Sequence, residues 1–208
     1  MKAFIYFHFA SMISTTQNTK PLPRLAAPGA GLPKPELWIA RARFRVFRWR
    51  NDRAACAALF AAERDKVIEL ARSVEAKIAT QPVLIKRLRG LEDSSRNWSI
   101  CMTVEHLQIV NAEVFDAIQT LVSGSIPEQA VSTATVKPNE GVGIEIIDTF
   151  SSNCEAQLRQ VEAISDLRTS LRYAHPWFGP LDASDWLALV AFHQRLHRTQ
   201  IERILSTL

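Results

Sequence analysis

The sequence has little of what a sheet protein or a disulfide-stabilised protein requires. Its 208 residues include only seven glycines, and runs in which Val or Ile alternates with polar residues are few, which argues against a sheet protein. The three cysteines are odd in number and far apart, and no Cys-x-x-Cys pair occurs. This spacing argues against a disulfide framework and against a zinc knuckle, and reduced thiols fit the cytosol best.

Long apolar runs are also missing. The most apolar stretch, residues 2–13, is interrupted by His8 and is too short to span a bilayer. It has the length of the apolar part of a signal peptide, but no convincing small-residue cleavage site follows closely. The alternative is that Met12 is the true start and that residues 1–11 have no role. We expect a cytoplasmic protein without a transmembrane segment.

Neither sign of charge is in large excess. There are 25 Lys and Arg residues against 21 Asp and Glu residues, a net charge of +4, and the isoelectric point is about 9.2. This mildly basic balance permits contact with nucleic acid or acidic lipid without indicating either. A composition of 47% hydrophobic and 22% charged residues is ordinary for a globular domain, and the chain is long enough to bury one sizeable core.

The chain divides at a segment rich in Pro, Gly, Ser and Thr, residues 14–35. Such a composition predicts an extended or disordered lead-in. We therefore predict an N-terminal leader and flexible lead-in over residues 1–35 and a helical domain over residues 36–208. Pro35 suits the first turn of the helix that would open this domain.

Four long helical segments are predicted in that domain. The first lies between Glu36 and about Ala79, where no proline or glycine occurs. The second covers residues 97–124, with Asn97 or Ser99 as its cap, and the third runs from about Ile144 to Leu171. After a turn-rich connection, the fourth begins at a cap and ends near Leu205; the candidate caps are Asp182 and Ser184. Four long helices predict an all-α four-helix bundle.

The fourth predicted helix carries polar side chains where its buried stripe should be. Apolar residues at positions 186, 190, 201 and 204 set the phase of the stripe, and His193, His197 and Gln200 fall within it. Residues four apart lie on one face of a helix, so the two imidazoles point toward the same region. Unpaired polar groups in a core cost free energy, whereas a divalent ion such as zinc, nickel or iron would bind both rings.

A tight metal site needs a third ligand from another helix. His106 is the best candidate because it lies in the middle of the second predicted helix. His8 lies in the leader, and His175 precedes Pro176 in a connection, where a role in fixing the turn is more typical. From the residues alone, a hydrogen-bonded histidine without a metal remains the alternative interpretation.

Two segments of the chain together resemble the DinB/YfiT-like superfamily of metalloenzymes. NWSICMTVEHL, residues 97–107, is similar to the family's second-helix segment, and HPWFGPLDASDWLALVAFHQRLHRTQIERI, residues 175–204, is similar to its C-terminal end. The resemblance covers about residues 36–208. It implies a four-helix bundle with a three-histidine metal site, in which Gln200 supports the ligands from outside the coordination shell; the implied ligands are His106, His193 and His197.

Three histidine ligands leave coordination positions open, as in catalytic rather than structural sites. The resemblance implies thiol-dependent transferase or isomerase chemistry, or hydrolase-like chemistry, on a small-molecule substrate. We expect a divalent-metal-dependent enzyme, with a glutathione-type transferase as the favoured activity. The alternative is a non-catalytic, metal-stabilised binding or interaction protein, which could form a homodimer. No catalytic base is assigned, since Glu105, Glu113 and Asp148 are each more typical of surface or capping carboxylates.

One segment, residues 41–53, is unusually rich in arginine. It holds six arginines interleaved with Phe44, Phe47 and Trp49. Such a pattern suits nucleic acid, an anionic lipid surface or an anionic cosubstrate such as glutathione. It also suits an ordinary helix whose apolar side packs while its arginines stay solvated, and we favour this second interpretation. Because a three-histidine bundle has no DNA-reading element, we expect no specific binding of nucleic acid.

Overall fold

The computed structural model describes residues 23–208 and shows a predominantly helical protein. It contains six helices and one short β-hairpin, and a single 3₁₀ turn over Asp93–Ser95 precedes the fourth helix. In chain order the elements are α1 (Lys34–Arg50), α2 (Arg53–Arg72), α3 (Ala76–Ala79), α4 (Ile100–Val122), α5 (Ile146–Ala163), β1 (Tyr173–His175), β2 (Gly179–Leu181) and α6 (Ala183–Leu205).

Four of these helices form the bundle. Helix α6 packs against α2 and α4, and α5 packs against the same two helices. Large side chains from all four fill the space between them and are almost fully buried, including Phe60, Phe115, Phe150 and Trp186. The predicted all-α four-helix bundle is therefore confirmed.

The first predicted helical segment is divided into three helices. Asn51 adopts an extended conformation that ends α1, and the Asp52 side chain accepts a hydrogen bond from the Ala55 amide at 2.8 Å, which starts α2. Residues of these two types cap helices because their short polar side chains bond to nearby backbone groups. The absence of proline and glycine was therefore not sufficient to predict one continuous helix.

The ends of the other helices follow from caps and local turns. Of the two caps proposed for each helix, Ser99 starts α4 and Asp182 starts α6, each accepting a hydrogen bond from the amide three residues later. Helix α5 ends at Ala163 rather than near Leu171. Just beyond this end the Asp166 side chain accepts from the Arg168 amide at 2.8 Å, a local turn that competes with helix.

The connection before α6 contains the hairpin, which was not predicted. Strands β1 and β2 pair antiparallel, with Tyr173 opposite Leu181 and His175 opposite Gly179. Upstream, the described part of the lead-in, residues 23–33, lacks helix and strand, in agreement with the expected extended segment. His8, the leader and lead-in residues 14–22 lie outside the described residues. Within residues 23–208 no helix has both the length and the apolarity needed to cross a membrane.

Candidate metal centre

The structure brings together the three histidines that the sequence singled out. His106 lies on α4, and His193 and His197 lie on successive turns of α6. One ring nitrogen from each residue lies within 4.8 Å of the corresponding nitrogens of the other two. The stripe of α6 is also as predicted, because His197 and Gln200 are buried and His193 is half-buried. The cluster therefore joins two helices that face each other in the bundle.

The ring of His106 is oriented by a backbone carbonyl. Its Nδ1 lies 2.6 Å from the carbonyl oxygen of Val136, in the loop between α4 and α5. A carbonyl only accepts hydrogen bonds, so Nδ1 carries the proton and Nε2 keeps its lone pair. That Nε2 lies 3.3 Å from the Nε2 of His193. The free lone pair of His106 therefore points at its neighbour on α6.

The ring of His197 is oriented in the same way by Gln200. The Gln200 amide nitrogen donates to the backbone carbonyl of Ser95 at 2.8 Å, which fixes the orientation of the amide. Its oxygen therefore faces the Nδ1 of His197, also at 2.8 Å. Nδ1 must donate to this oxygen, so the lone pair of His197 is likewise on Nε2. Buried histidine ligands in metal sites are held by such outer hydrogen bonds.

His193 is held less tightly than the other two rings. Its Nδ1 is buried and has no hydrogen-bond partner among residues 23–208. The Nε2 atom, at 3.3 Å from that of His106, is the nitrogen that faces the cluster. This ring therefore depends on the cluster itself for its polar contacts.

Burial keeps the three rings neutral. It lowers the pKa of His106 to about 4 even though the hydrogen bond to Val136 favours the charged form. Burial, followed by repulsion from the neighbouring imidazoles, lowers the pKa of His193 and His197 well below the ordinary value. Near pH 7 the cluster therefore offers three neutral imidazoles, the form in which histidine binds a metal, and the lone pairs of His106 and His197 are on Nε2.

The spacing between His106 and His193 fits a divalent ion. In a tetrahedral site with metal–nitrogen bonds of about 2.0–2.1 Å, two ligand nitrogens lie about 3.3–3.4 Å apart. The Nε2 atoms of His106 and His193 are 3.3 Å apart. Neutral imidazoles suit zinc, nickel and iron, and three protein ligands leave at least one coordination position free for water or substrate.

A cavity of about 1130 Å³ borders the cluster. All three histidines contribute to its wall, together with parts of α1, α4, the hairpin, α6 and the loop of residues 127–137. Much of the wall is apolar, with side chains such as Ile39, Val110 and Leu189. A space of this size and character accommodates an organic molecule with an apolar body beside a few polar groups.

The three carboxylates considered as bases lie in different surroundings. Glu113 lines the cavity, and burial raises its pKa. Glu105 instead accepts hydrogen bonds from the backbone and side-chain amides of Asn139, at 2.6 and 2.9 Å. Asp148 is exposed and pairs with Arg72 at 2.5 Å. Of the three, only Glu113 is placed to meet a molecule in the cavity.

His175 supports the hairpin turn, as expected, and also lines the cavity. Its Nδ1 accepts a hydrogen bond from the Trp177 amide at 3.0 Å, and burial lowers its pKa to about 4. The neutral ring must then carry its proton on Nε2. His175 is therefore an uncharged hydrogen-bond donor in the wall of the cavity.

Sequence reasoning missed the groups that orient the cluster from the backbone. The carbonyls of Val136 and Ser95 act through atoms that every residue possesses, so neither side chain identifies them. Trp98, the second residue of the quoted segment 97–107, also packs beside the site, with its ring centroid 5.0 Å from that of His106. A tryptophan close before the ligand-bearing helix was the one available indication of this contact.

Comparison with known proteins identifies the fold alone. No family model matches the sequence, and no curated protein matches it. Among solved structures, TT2238, described as a four-helix bundle protein, is similar with a TM-score of 0.51 and 18% identity, over 71% of this chain and 95% of that chain. The chain is a four-helix bundle.

A second solved structure has the same overall fold. It is the colibactin self-resistance protein ClbS, solved in complex with double-stranded DNA. The TM-score is 0.52 and the identity 12%, over 76% of this chain and 97% of that chain. Both likenesses show a helical-bundle fold.

Proposed function

We propose that this chain belongs to the DinB/YfiT-like superfamily and that His106, His193 and His197 bind one divalent metal ion, namely zinc, nickel or iron. One observation carries the proposal: two imidazole Nε2 atoms face each other at 3.3 Å. The opposite nitrogen of His106 is held by a carbonyl and that of His197 by an amide oxygen. With its proton on Nδ1, His193 presents a second lone pair to that of His106, and two lone pairs at this distance require a cation between them; with its proton on Nε2, His193 would instead donate a hydrogen bond to His106.

The function that this site supports best is metal-dependent catalysis on a small molecule. A metal with an open position lowers the pKa of a bound water or thiol, which favours the nucleophilic form near pH 7. The favoured reaction is transfer to a low-molecular-weight thiol of the glutathione type. The apolar cavity wall would hold the substrate body, His175 would donate a hydrogen bond, and Glu113 would accept a proton.

Metal content tests the ligand assignment. Protein purified without chelator should carry about one metal ion per chain, measured by elemental analysis. His106→Ala should lose the metal as fully as His197→Ala. His175→Asn is the matched control, because asparagine keeps an acceptor for the Trp177 amide, and this variant should retain the ion. If the His106 variant keeps wild-type metal content, the assignment on α4 is wrong.

Turnover tests the catalytic part of the proposal. Metal-loaded protein should conjugate glutathione to one or more electrophiles, and His193→Ala should abolish turnover without a large fall in melting temperature. His193 is suited to this test because it is only half-buried and has fewer polar contacts than the other two rings.

The alternative is that the metal only clamps α4 to α6 in a binding or interaction protein. In that case chelation would lower the melting temperature strongly, and no thiol or ester substrate would be turned over. The two measurements together therefore separate an enzyme from a metal-stabilised binding protein.

A further inference from the structure

Helix α1 lies outside the four-helix bundle and packs against it along one side only. Phe44 is buried, with its ring centroid 4.7 Å from that of Phe178 and 6.0 Å from that of Phe192. Phe47 packs on Phe192 at 5.7 Å. These contacts account for the apolar side of α1 that the sequence predicted would pack. They leave the opposite side of the helix facing solvent.

That opposite side is also apolar. Trp38 and Trp49 are 73% and 82% exposed, and Val46 is 47% exposed. Ile39, at one edge of this side, also lines the cavity and is still 57% exposed. At about 100° per residue, these four residues and the exposed Ala42 share an arc of roughly 100° around the helix axis. Two largely exposed tryptophans within one contiguous apolar strip are characteristic of an interaction surface rather than of the ordinary solvent-facing side of a helix.

Cationic residues border this apolar strip on both edges. By the same helical spacing, Arg43 and Arg50 follow one edge, and Lys34, Arg41 and Arg45 follow the other. The carboxylate that α1 itself carries, Glu36, pairs with Arg87 at 2.7 Å. Arg48, on the packed side, pairs with Asp185 at 2.6 Å.

Three of the bordering arginines have no counterion. Arg43, Arg45 and Arg50 are exposed and form no ion pair within the part of the chain that the structure describes. The strip and its edges therefore present apolar surface together with unneutralised positive charge. A molecule that binds this side of α1 must complement both.

We propose that this side of α1 docks on an anionic lipid bilayer surface. Tryptophan rings reside preferentially at the boundary between headgroups and acyl chains, and the aliphatic residues beside them would enter the same layer. The arginines at both edges reach outward to headgroup phosphates while their stems cover apolar surface. An amphipathic helix with this division of faces lies in the plane of the interface. The proposal does not depend on the metal site.

Other occupants match the surface less well. A second copy of the chain, joined α1 to α1, would bring the cations of two helices together with no acidic partner on that side. The apolar leader, residues 2–13, contains one lysine and no acidic residue, so it would leave the arginines unneutralised. Nucleic acid would satisfy the arginines and its bases would stack on Trp38 and Trp49, but Ile39 and Val46 would then stay without an apolar partner.

Vesicle sedimentation with the full chain tests the proposal. The protein should sediment with vesicles of phosphatidylcholine mixed with phosphatidylserine and much less with phosphatidylcholine alone. Binding should shift tryptophan fluorescence to shorter wavelength. Trp38→Ser/Trp49→Ser should weaken binding at least about tenfold, because apolar area no longer enters the interface. Both tryptophans are exposed, so we expect the fold to be unaffected, which circular dichroism checks.

A pair of charge variants isolates the role of the arginines. Arg43→Gln/Arg45→Gln/Arg50→Gln should weaken binding by about fivefold per arginine, or about a hundredfold in all. The matched control removes the same charge from exposed positions on other helices and loops, as Arg159→Gln/Arg168→Gln/Arg203→Gln, and should bind nearly as wild type. Equal loss in both triple variants would overturn the proposal, because net charge alone would then explain binding.

Two further results would also overturn it. The first is wild-type vesicle binding by the Trp38→Ser/Trp49→Ser variant. The second is that these tryptophans are needed for dimerisation in sedimentation velocity, or for binding duplex DNA, while anionic vesicles are not bound. The first result would place vesicle binding on another part of the protein, and the second would assign this side of α1 to a different partner.

Discussion

At the scale of single residues, Gln200 shows how a polar side chain is accommodated in a buried stripe when its hydrogen bonds are satisfied. It is fully buried, and both ends of its amide are paired. The nitrogen donates to the Ser95 carbonyl and the oxygen accepts from His197. The same residue therefore fixes one ring of the cluster and ties α6 to the 3₁₀ turn before α4.

Replacing this amide should weaken both the fold and the metal site. Gln200→Leu leaves the Ser95 carbonyl and the His197 Nδ1 buried without partners, so we expect a loss of about 1–3 kcal/mol in the free energy of unfolding. Metal affinity should fall about 10- to 100-fold, as for other residues that orient metal ligands. Urea unfolding of the metal-free protein and competition with a chelating dye measure the two effects separately.

Gln200→Glu is the informative companion variant. Its carboxylate still accepts from His197 but cannot donate to the Ser95 carbonyl. We expect the metal-free protein to be destabilised while much of the metal affinity is kept. A Gln200→Leu variant with wild-type affinity would mean that the amide is needed for folding alone.

At the scale of elements, the start of α6 decides where two of the three rings lie. The Asp182 side chain accepts from the Asp185 amide at 2.8 Å, and an acidic residue is favoured at this positive end of the helix dipole. Ser184, the other cap considered from the sequence, lies inside the helix, and its amide donates to the Leu167 carbonyl at 2.9 Å.

Removing the cap should lower stability without dismantling the site. Asp182→Ala should cost about 0.5–2 kcal/mol, whereas Ser184→Ala should change the unfolding free energy by no more than about 0.5 kcal/mol. Because the histidines lie more than two turns from this end, metal stoichiometry should stay near one per chain in both variants. Equal destabilisation by the two substitutions would show that the cap is not what fixes the helix start.

The sequence predicted which segments form helices better than it predicted where those helices begin and end. The long helices and the polar stripe of α6 followed from apolar periodicity, because a helix must bury one side whatever its neighbours are. The division at Asn51 and Asp52 did not follow, since their capping role depends on conformation rather than on residue type alone. The Nδ1 partner of His106 is a backbone carbonyl from a distant loop, and no residue pattern specifies such a contact.

At the scale of the whole molecule, the cavity is closed by segments that are not part of the bundle. Glu92 connects them: its carboxylate accepts from the Gly29 and Gly31 amides, at 3.0 and 3.2 Å, and from the Thr133 hydroxyl at 3.1 Å. One side chain thus joins the lead-in to the loop of residues 127–137. That loop also supplies the carbonyl of Val136, which orients His106.

Glu92→Ala should therefore loosen the cavity wall and the site together. Loss of these charge-assisted bonds should raise hydrogen exchange of the Gly29 and Gly31 amides by at least about tenfold, with faster exchange also in residues 131–136. Metal affinity should fall because His106 loses a fixed partner, while exchange within α2 and α5 should not change. Hydrogen-exchange mass spectrometry and dye competition on the same samples measure these effects.

Glu128→Ala supplies the control for this prediction. Glu128 is an exposed carboxylate at the start of the same loop, and its removal should leave both exchange and affinity near wild type. If Glu92→Ala speeds exchange of the lead-in alone and leaves metal affinity unchanged, then the loop holds Val136 in place without Glu92. The lead-in and the metal site would in that case be independent parts of the molecule.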